Sequence, residues 1–303
     1  MAIHIDPTLS SQELRAQLYA GDLVVLTQLP AVTKMVEHTR RQLEDLFAPH
    51  DPEDAHAHYT PAELAIMLGA WKPRFIHDEG STQIVRDIVD QAGFAPTNTH
   101  YDVPKPRTSF PVGHLTTGIA FAFPWHRDVW YSAPAQQINW WLPIYPVRAD
   151  NAMRFDAACF DRPVPNDSAA FDYYRHNVGR KTIATQVTIE VQARPSAPEH
   201  PTQAEVIMLP PPGSILMFSG AHLHATIPNT SGRSRYSVDF RTVDVDDLAT
   251  GAGAPLVDVA CTGTAIRDFR NVKNNRPFDE ATIERLFGAS PAEAMLVYEP
   301  GQL

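Results

Sequence analysis

Twenty-seven prolines punctuate this chain of 303 residues. Proline has no amide donor and a fixed φ, so helix interiors and central strands exclude it, and regular structure must fit between these breaks. The character of that structure changes near Thr97. Before it, apolar residues recur at helical spacing. The spacing predicts helices over Ser10–Ala20, with Leu14 and Leu18 at i, i+4, over Val32–Phe47, and over Thr82–Ala92, and another begins at Pro61 in the favourable first position after Thr60. A short apolar strand is expected within Asp22–Leu29. After Thr97 come short β-type segments separated by Gly, Pro and Asn: Leu115–Phe123, Gln136–Tyr145, Lys181–Val191, Gly213–Phe218 and Arg233–Val243. A helix is expected over Ser168–Asn177 and another over Asp279–Phe287. Many short strands with such punctuation indicate an antiparallel sandwich or barrel. The expected fold is α+β, a double-stranded β-helix (jelly-roll) core with a helical N-terminal layer. It is read as one domain over 1–303, with the helical layer at 1–96, the core at 97–245 and a C-terminal extension at 246–303.

Composition narrows the function classes. A net charge of -10 leaves no electrostatic footprint for nucleic acid, and no Lys/Arg block suggests an anionic membrane surface. The apolar runs fall far short of the roughly 20 residues that span a bilayer. Asp6, Glu13, Arg15 and Asp22 stand where a signal peptide needs an apolar centre, so a cytoplasmic location is expected. Two cysteines, Cys159 and Cys261, cannot make a disulfide framework or a thiolate zinc site. A metal would be held by His and carboxylate.

Two segments carry that donor chemistry. In Pro124-Trp125-His126-Arg127-Asp128-Val129-Trp130, an extended backbone would put His126 and Asp128 on one face and Arg127 on the other. The second begins with a Pro212-Gly213 turn and an apolar strand, then runs through Ala221-His222-Leu223-His224-Ala225-Thr226 to a Pro228-Asn229 turn. The strand that follows alternates strictly. Tyr236, Val238 and Phe240 form an apolar face, and Arg235, Ser237 and Asp239 a polar one. Two histidines and one carboxylate from separate strands, with three adjacent positions open, are the facial triad of non-haem Fe(II) oxygenases. Those that use 2-oxoglutarate also need a cation for its distal carboxylate, and the planar fork of Arg suits that task.

These segments resemble the phytanoyl-CoA dioxygenase-like family of Fe(II)/2-oxoglutarate-dependent oxygenases. The resemblance rests on His126-Arg127-Asp128, Gln137-Ile138-Asn139-Trp140-Trp141, Asp150-Asn151-Ala152-Met153-Arg154-Phe155, Pro212-Gly213-Ser214 through Phe218, His224 through Asn229, and Arg235 eleven residues beyond His224. It covers about residues 110–243. It implies that His126, Asp128 and His224 hold Fe(II), and that Arg235 binds 2-oxoglutarate with help from Thr226. Trp141 is then the pocket member of the tryptophan pair. Dioxygen is the further co-substrate, and the resemblance implies a small-molecule substrate hydroxylated at an unactivated C–H bond, with desaturation, ring closure and epimerisation by the same oxidant open. Asp128 argues against halogenation, because related halogenases lack that carboxylate.

The chain departs from the family pattern at Ser214, where the family has Asp, and at Ala225-Thr226, where it has Gly-Ser. His222 and Arg233 are also eleven apart, so the register has an alternative. Asn229, five residues after His224, favours His224, with His222 in a supporting place. Asp51, Glu53, Asp54, His56 and His58 form an acidic, His-bearing stretch read as a solvated loop. Arg107, His114 and Arg127 are basic residues near the first donor pair that could bind an anionic substrate, with surface exposure the favoured reading for each. Two other functions fit the same residues: a metalloenzyme using the triad without 2-oxoglutarate, and a non-catalytic jelly-roll binding protein.

Overall fold

The computed structural model describes residues 1–115, 118–176 and 194–289. Within them the N-terminal helices start where side-chain caps satisfy the first backbone amides. Ser10 and Glu13 form a reciprocal capping box on α1 (Ser11–Tyr19). After the strands β1 (Ile3–Ile5) and β2 (Leu23–Leu26), α2 runs Pro30–Phe47, a short α3 spans Ala55–His58, and α4 covers Pro61–His77 behind a Thr60–Glu63 capping box. Asp78 caps α5 (Glu79–Gln91) through Ser81 N. The predicted helices are therefore present, with ends shifted by a few residues.

Eight strands form the larger sheet, in the order β1, β2, β8 (Ile215–Ser219), β5 (Ile138–Pro143), β10 (Arg235–Asp244), β3 (Thr99–Tyr101), β11 (Arg270–Asn271), with β4 (Lys105–Ser109) also paired to β10. A smaller sheet has the order β7 (Glu205–Met208), β6 (Met153–Asp156), β9 (His224–Thr226). Strict alternation gives the larger sheet two different faces. Ile138, Trp140, Leu142, Met217, Tyr236, Val238 and Phe240 pack with Leu18, Met35, Leu43, Leu68, Phe75 and Val85 of the helices. On the opposite face Trp141, Leu216 and Phe218 pack against Met153, Phe155 and Met208 of the smaller sheet. The helices cover one side of the larger sheet, and a cavity opens between the two sheets on the other.

Three expectations are corrected. Leu115–Phe123 is not a strand in its described residues. Its described part holds only a 3₁₀ turn at Gly118–Ala120, where Lys72 Nζ donates to Ile119 O at 2.6 Å and ties the turn to α4, and only its end, at Phe123 O, meets Thr226 N of the smaller sheet. Ser168–Asn177 is not a continuous helix. A 3₁₀ turn at Ser168–Ala170 and one helical turn at 173–176 are separated by Phe171 and Asp172, and Asp172 bridges to Thr262. The Asp128 end of the first donor segment is also not extended, because a 3₁₀ turn begins there (Asp128–Tyr131). The predicted strand Lys181–Val191 lies outside the described residues. Among the described residues no helix is long and apolar enough to cross a membrane.

Candidate active site

His126 and His224 are brought together by the backbone itself. His126 N donates to His224 O and His224 N to His126 O, both at 2.9 Å, an antiparallel bridge that sets the two rings 4.2 Å apart. Each ring donates from its outer nitrogen: His126 Nδ1 lies 2.9 Å from Pro124 O and His224 Nδ1 3.0 Å from His222 O. Carbonyls only accept, so Nδ1 carries the proton and Nε2 presents its lone pair inward. Asp128 Oδ1 lies 3.5 Å from His126 Nε2 and 3.9 Å from His224 Nε2. One donor atom from each of the three residues falls within 4.8 Å of the others, and all three residues are buried.

The other carboxylate oxygen is held from behind. Gln137 Nε2 donates to Asp128 Oδ2 at 3.1 Å, and Arg241 Nε lies 3.4 Å from the same atom. Burial by itself would raise the Asp128 carboxyl. The Arg241 guanidinium outweighs it and holds the group well below the usual carboxylate range. Burial, with His126 alongside, lowers the His224 imidazole to about 3, so this ring is neutral. Two neutral imidazole nitrogens and a fixed carboxylate oxygen make a three-donor set with the rest of the coordination sphere facing the cavity, and this fits Fe(II).

His222 does not take part. Its Nδ1 and Nε2 lie 3.1 Å from Ser219 O and Gly21 O, so both ring nitrogens are directed at backbone carbonyls away from Asp128. Gly21 must be glycine for this contact: its φ is +95°, and an added Cβ would fall 2.6 Å from Phe160 Cδ1, the ring that packs on His222. The register alternative fails for Arg233 as well. Arg233 is drawn to the surface by Asp51 (3.3 Å), Glu53 (3.3 Å) and Asp54 (2.8 Å), so the acidic stretch serves as its dock.

Arg235 instead lies 7% exposed on the wall of a cavity of about 630 Å³, which also meets His126, Asp128, His224, Trp141 and Thr226. Its guanidinium carbon sits 5.7 Å from the centre of the Trp141 ring. Asp239, the nearby carboxylate on the same strand face, is committed to Arg107 at 2.5 and 3.1 Å. Arg235 Nε is buried with no hydrogen-bond partner among the described residues. Burial pushes its guanidinium down to about 10, still charged at neutral pH. A buried cation with an unsatisfied donor beside a three-donor set is a seat for an anion.

Of the other expected residues, Trp140 packs in the core and Trp141 in the cavity wall, as alternation requires. Thr226 lines the cavity. Arg107 does too, in its pair with Asp239. Arg127 points the other way: its guanidinium is taken up by Asp258 and by the carbonyls of Cys159, Phe160, Arg162 and Ala221, so the expected surface exposure is corrected to a buried structural brace, which also leaves it no part in an anion site. His114 is not on the cavity lining. Asn229 donates to Ser109 O and Arg233 O and shapes the turn, and Ser214 Oγ donates to Pro211 O.

Sequence reasoning missed Arg241, Gln137, Asp102 and Lys72. Arg241 continues the parity of Arg235 and Asp239 and was readable from it. Its partners Asp102 (3.0 Å) and Asp128 come from distant segments and were not. Among the described residues lining the cavity, Lys and Arg outnumber Asp, although the chain as a whole is acidic.

No protein-family model and no curated protein matches the chain. Solved structures of similar shape include EvdO2 from Micromonospora carbonacea var. aurantiaca, complexed with 2-oxoglutarate (13% identity, 78% of this chain and 92% of that chain, TM-score 0.46). Others are the non-heme monooxygenase ThoJ (13%, 72% and 71%, TM-score 0.43) and the epimerase SnoN in complex with Fe3+, alpha ketoglutarate and nogalamycin RO (13%, 86% and 98%, TM-score 0.42). These are distant likenesses, and none of them assigns a role to a residue of this chain.

Proposed function

We propose that this chain is an Fe(II)- and 2-oxoglutarate-dependent oxygenase that hydroxylates an unactivated C–H bond of a small molecule. One observation carries the reading: a buried His126–Asp128–His224 donor set opens onto the same cavity wall as Arg235, a buried guanidinium with an unpartnered donor. When bound there, iron with 2-oxoglutarate and dioxygen supplies an oxidant strong enough for such a bond, with succinate and carbon dioxide released. The protein's own contribution is positional. His126 and His224 offer Nε2 because their Nδ1 protons are occupied, and Gln137 and Arg241 hold Asp128 with Oδ1 toward them. Arg235 takes the distal carboxylate of the co-substrate, Thr226 adds a hydroxyl, and Trp141 packs along the guanidinium. We read the two facing sheets as the jelly-roll core of one catalytic unit, and the excess of cationic side chains on its lining as favouring an anionic substrate.

The test is anaerobic reconstitution with Fe(II) and 2-oxoglutarate, followed by succinate measurement across a panel of small molecules matched in size and varied in charge. The expected result is one iron per chain, a visible charge-transfer absorption on adding 2-oxoglutarate, and succinate formation stimulated mainly by anionic members. Iron binding without any response to 2-oxoglutarate would instead assign the triad to chemistry that does not use it.

A further inference from the structure

A second set of donors converges at the end of β6, away from the cavity. Asp156 closes the strand, Cys159 follows three residues later, and His200 arrives from the loop before β7. His200 Nε2 lies 2.9 Å from Asp156 Oδ2 and 3.8 Å from Cys159 Sγ. One donor atom from each residue is within 4.8 Å of the other two. The side chains of Asp156 and His200 are 0% and 4% exposed, and Cys159 is 3% exposed.

Both contacts use the same imidazole nitrogen. A nucleophilic relay needs thiol and carboxylate on opposite nitrogens of the ring, so this is not a cysteine nucleophile with its base. A single Nε2 proton also cannot serve carboxylate and thiol equally. A cation among the three atoms satisfies all of them. Zinc bonds of about 2.3 Å to sulfur and about 2.0–2.2 Å to nitrogen and oxygen, in tetrahedral array, require separations of about 3.3 Å for N–O and about 3.5 Å for N–S. The observed separations differ from these by a few tenths of an ångström in each direction. Asp156 is held in place for this role. Its Oδ1 accepts from Ala158 N (3.0 Å) and Ala204 N (3.1 Å), and its Oδ2 accepts from Gln203 N (2.9 Å).

We propose that Asp156, Cys159 and His200 form a structural site for a zinc-class divalent cation, separate from the iron triad. Two cysteines are too few for a site of thiolates alone, but not for this mixed set of sulfur, nitrogen and oxygen. On binding, the thiol proton leaves to solvent, the neutral imidazole coordinates through Nε2 with its one proton on Nδ1, and the fourth position is open to water. The site joins the loop carrying His200 to β6, and both neighbours reach the triad. Phe155 of β6 stacks on His224 at 5.8 Å, and Ala197 N donates to the carbonyl of Trp125, the residue before His126. Arg127, between His126 and Asp128, donates to Cys159 O at 2.5 Å.

Cobalt(II) is the probe, because a thiolate ligand gives it a near-ultraviolet charge-transfer band that the sulfur-free triad cannot produce. Metal-free full-length protein titrated with Co(II) should develop that band, and Zn(II) should abolish it. The band should vanish in Cys159→Ala and persist in Cys261→Ala and His126→Ala. Cys261 is outside the cluster, with Sγ 3.3 Å from Val129 O. Absence of the band in the wild type, or its survival in Cys159→Ala, overturns the proposal. A measurement without variants covers a folding failure: Zn(II) should protect Cys159 of the wild type from alkylation at least tenfold, with Cys261 as internal reference. Equal alkylation rates with and without Zn(II) would also overturn it. Neither result bears on iron or 2-oxoglutarate, so the two readings stand or fall separately.

Discussion

Arg241 Nε lies 3.4 Å from Asp128 Oδ2, on the side of the carboxylate turned away from the two histidines. The guanidinium also meets Asp102 at 3.0 Å and Asp239 at 3.8 Å, so one side chain ties three carboxylates together beneath the donor set. That network fixes which Asp128 oxygen faces His126 and His224. It also keeps the carboxylate ionised despite its burial.

Removing Arg241 should therefore cost stability and donor geometry together. Arg241→Met leaves Asp102 and Asp128 without their shared cation, a loss of about 3 kcal/mol for a pair mostly withdrawn from water. Iron affinity should fall about 10–100-fold, the usual range for a residue that orients a ligand. Urea denaturation and iron titration of the variant check both numbers. Unchanged iron affinity would show that Gln137 alone suffices to hold Asp128.

His224→Ala should abolish iron binding, whereas His222→Ala should retain it. His222 is spent on Gly21 O and Ser219 O, and its loss opens a space beside Phe155, Phe160 and Phe218. The expected effect there is on stability, of order 2 kcal/mol for a buried aromatic ring whose loss leaves the Gly21 carbonyl unpaired. Iron content and melting temperature of the two variants should move in opposite order. The reverse pattern would shift the donor set by two residues.

Arg235→Gln should fold, bind iron and require roughly a hundredfold more 2-oxoglutarate, the effect of losing a charged bidentate contact of about 3 kcal/mol. Apparent 2-oxoglutarate affinity is the readout. An unchanged value removes Arg235 from co-substrate binding and leaves the triad intact.

Lys72 supplies a pH dependence. Enclosure of its ammonium, with Arg107 nearby, lowers it from 10.5 to about 7, while Nζ donates to Thr108 Oγ1 at 3.2 Å and Ile119 O at 2.6 Å. Between about 7 and 10.5 the unfolded chain holds a proton that the folded lysine lacks. Stability from this group therefore rises with pH across that window, and below it the full cost of burying the charge is present. Lys72→Met removes the dependence. The stability of the Met variant relative to wild type should be greatest near neutral pH and decline steadily as pH rises toward 10. Parallel stability curves for the two proteins would assign Lys72 an ordinary pKa.

Much of this molecule follows from local pattern. The capping boxes at Ser10–Glu13 and Thr60–Glu63 place two helices, because they answer a purely local need of unpaired amides. Strict alternation in β10 separates Tyr236, Val238 and Phe240 from Arg235, Asp239 and Arg241, since a strand has no other way to present its side chains. The same rule divides Trp140 from Trp141. His126, Asp128, His224 and Arg235 were all legible as a set of donors with a cation beside them.

Periodicity is silent where parity is shared. His222 and His224 differ by two residues and so look alike to any alternating pattern. The choice between them came from a turn at Ser219–His222 and from the backbone bridge that pairs His224 with His126, contacts between segments nearly a hundred residues apart. Arg233 and Arg235 are likewise equivalent by spacing, and only the acidic dock of Asp51, Glu53 and Asp54 draws the first of them to the surface. Leu115–Phe123 reads as a strand, but Lys72 Nζ takes the carbonyl of Ile119 and ties the segment to α4. The sequence by itself determined which residue types face the sheet interior, because backbone geometry imposes that locally. Tertiary structure alone decided which of them meet, because hydrogen bonding and charge pairing between distant segments are satisfied only when the whole chain is in place.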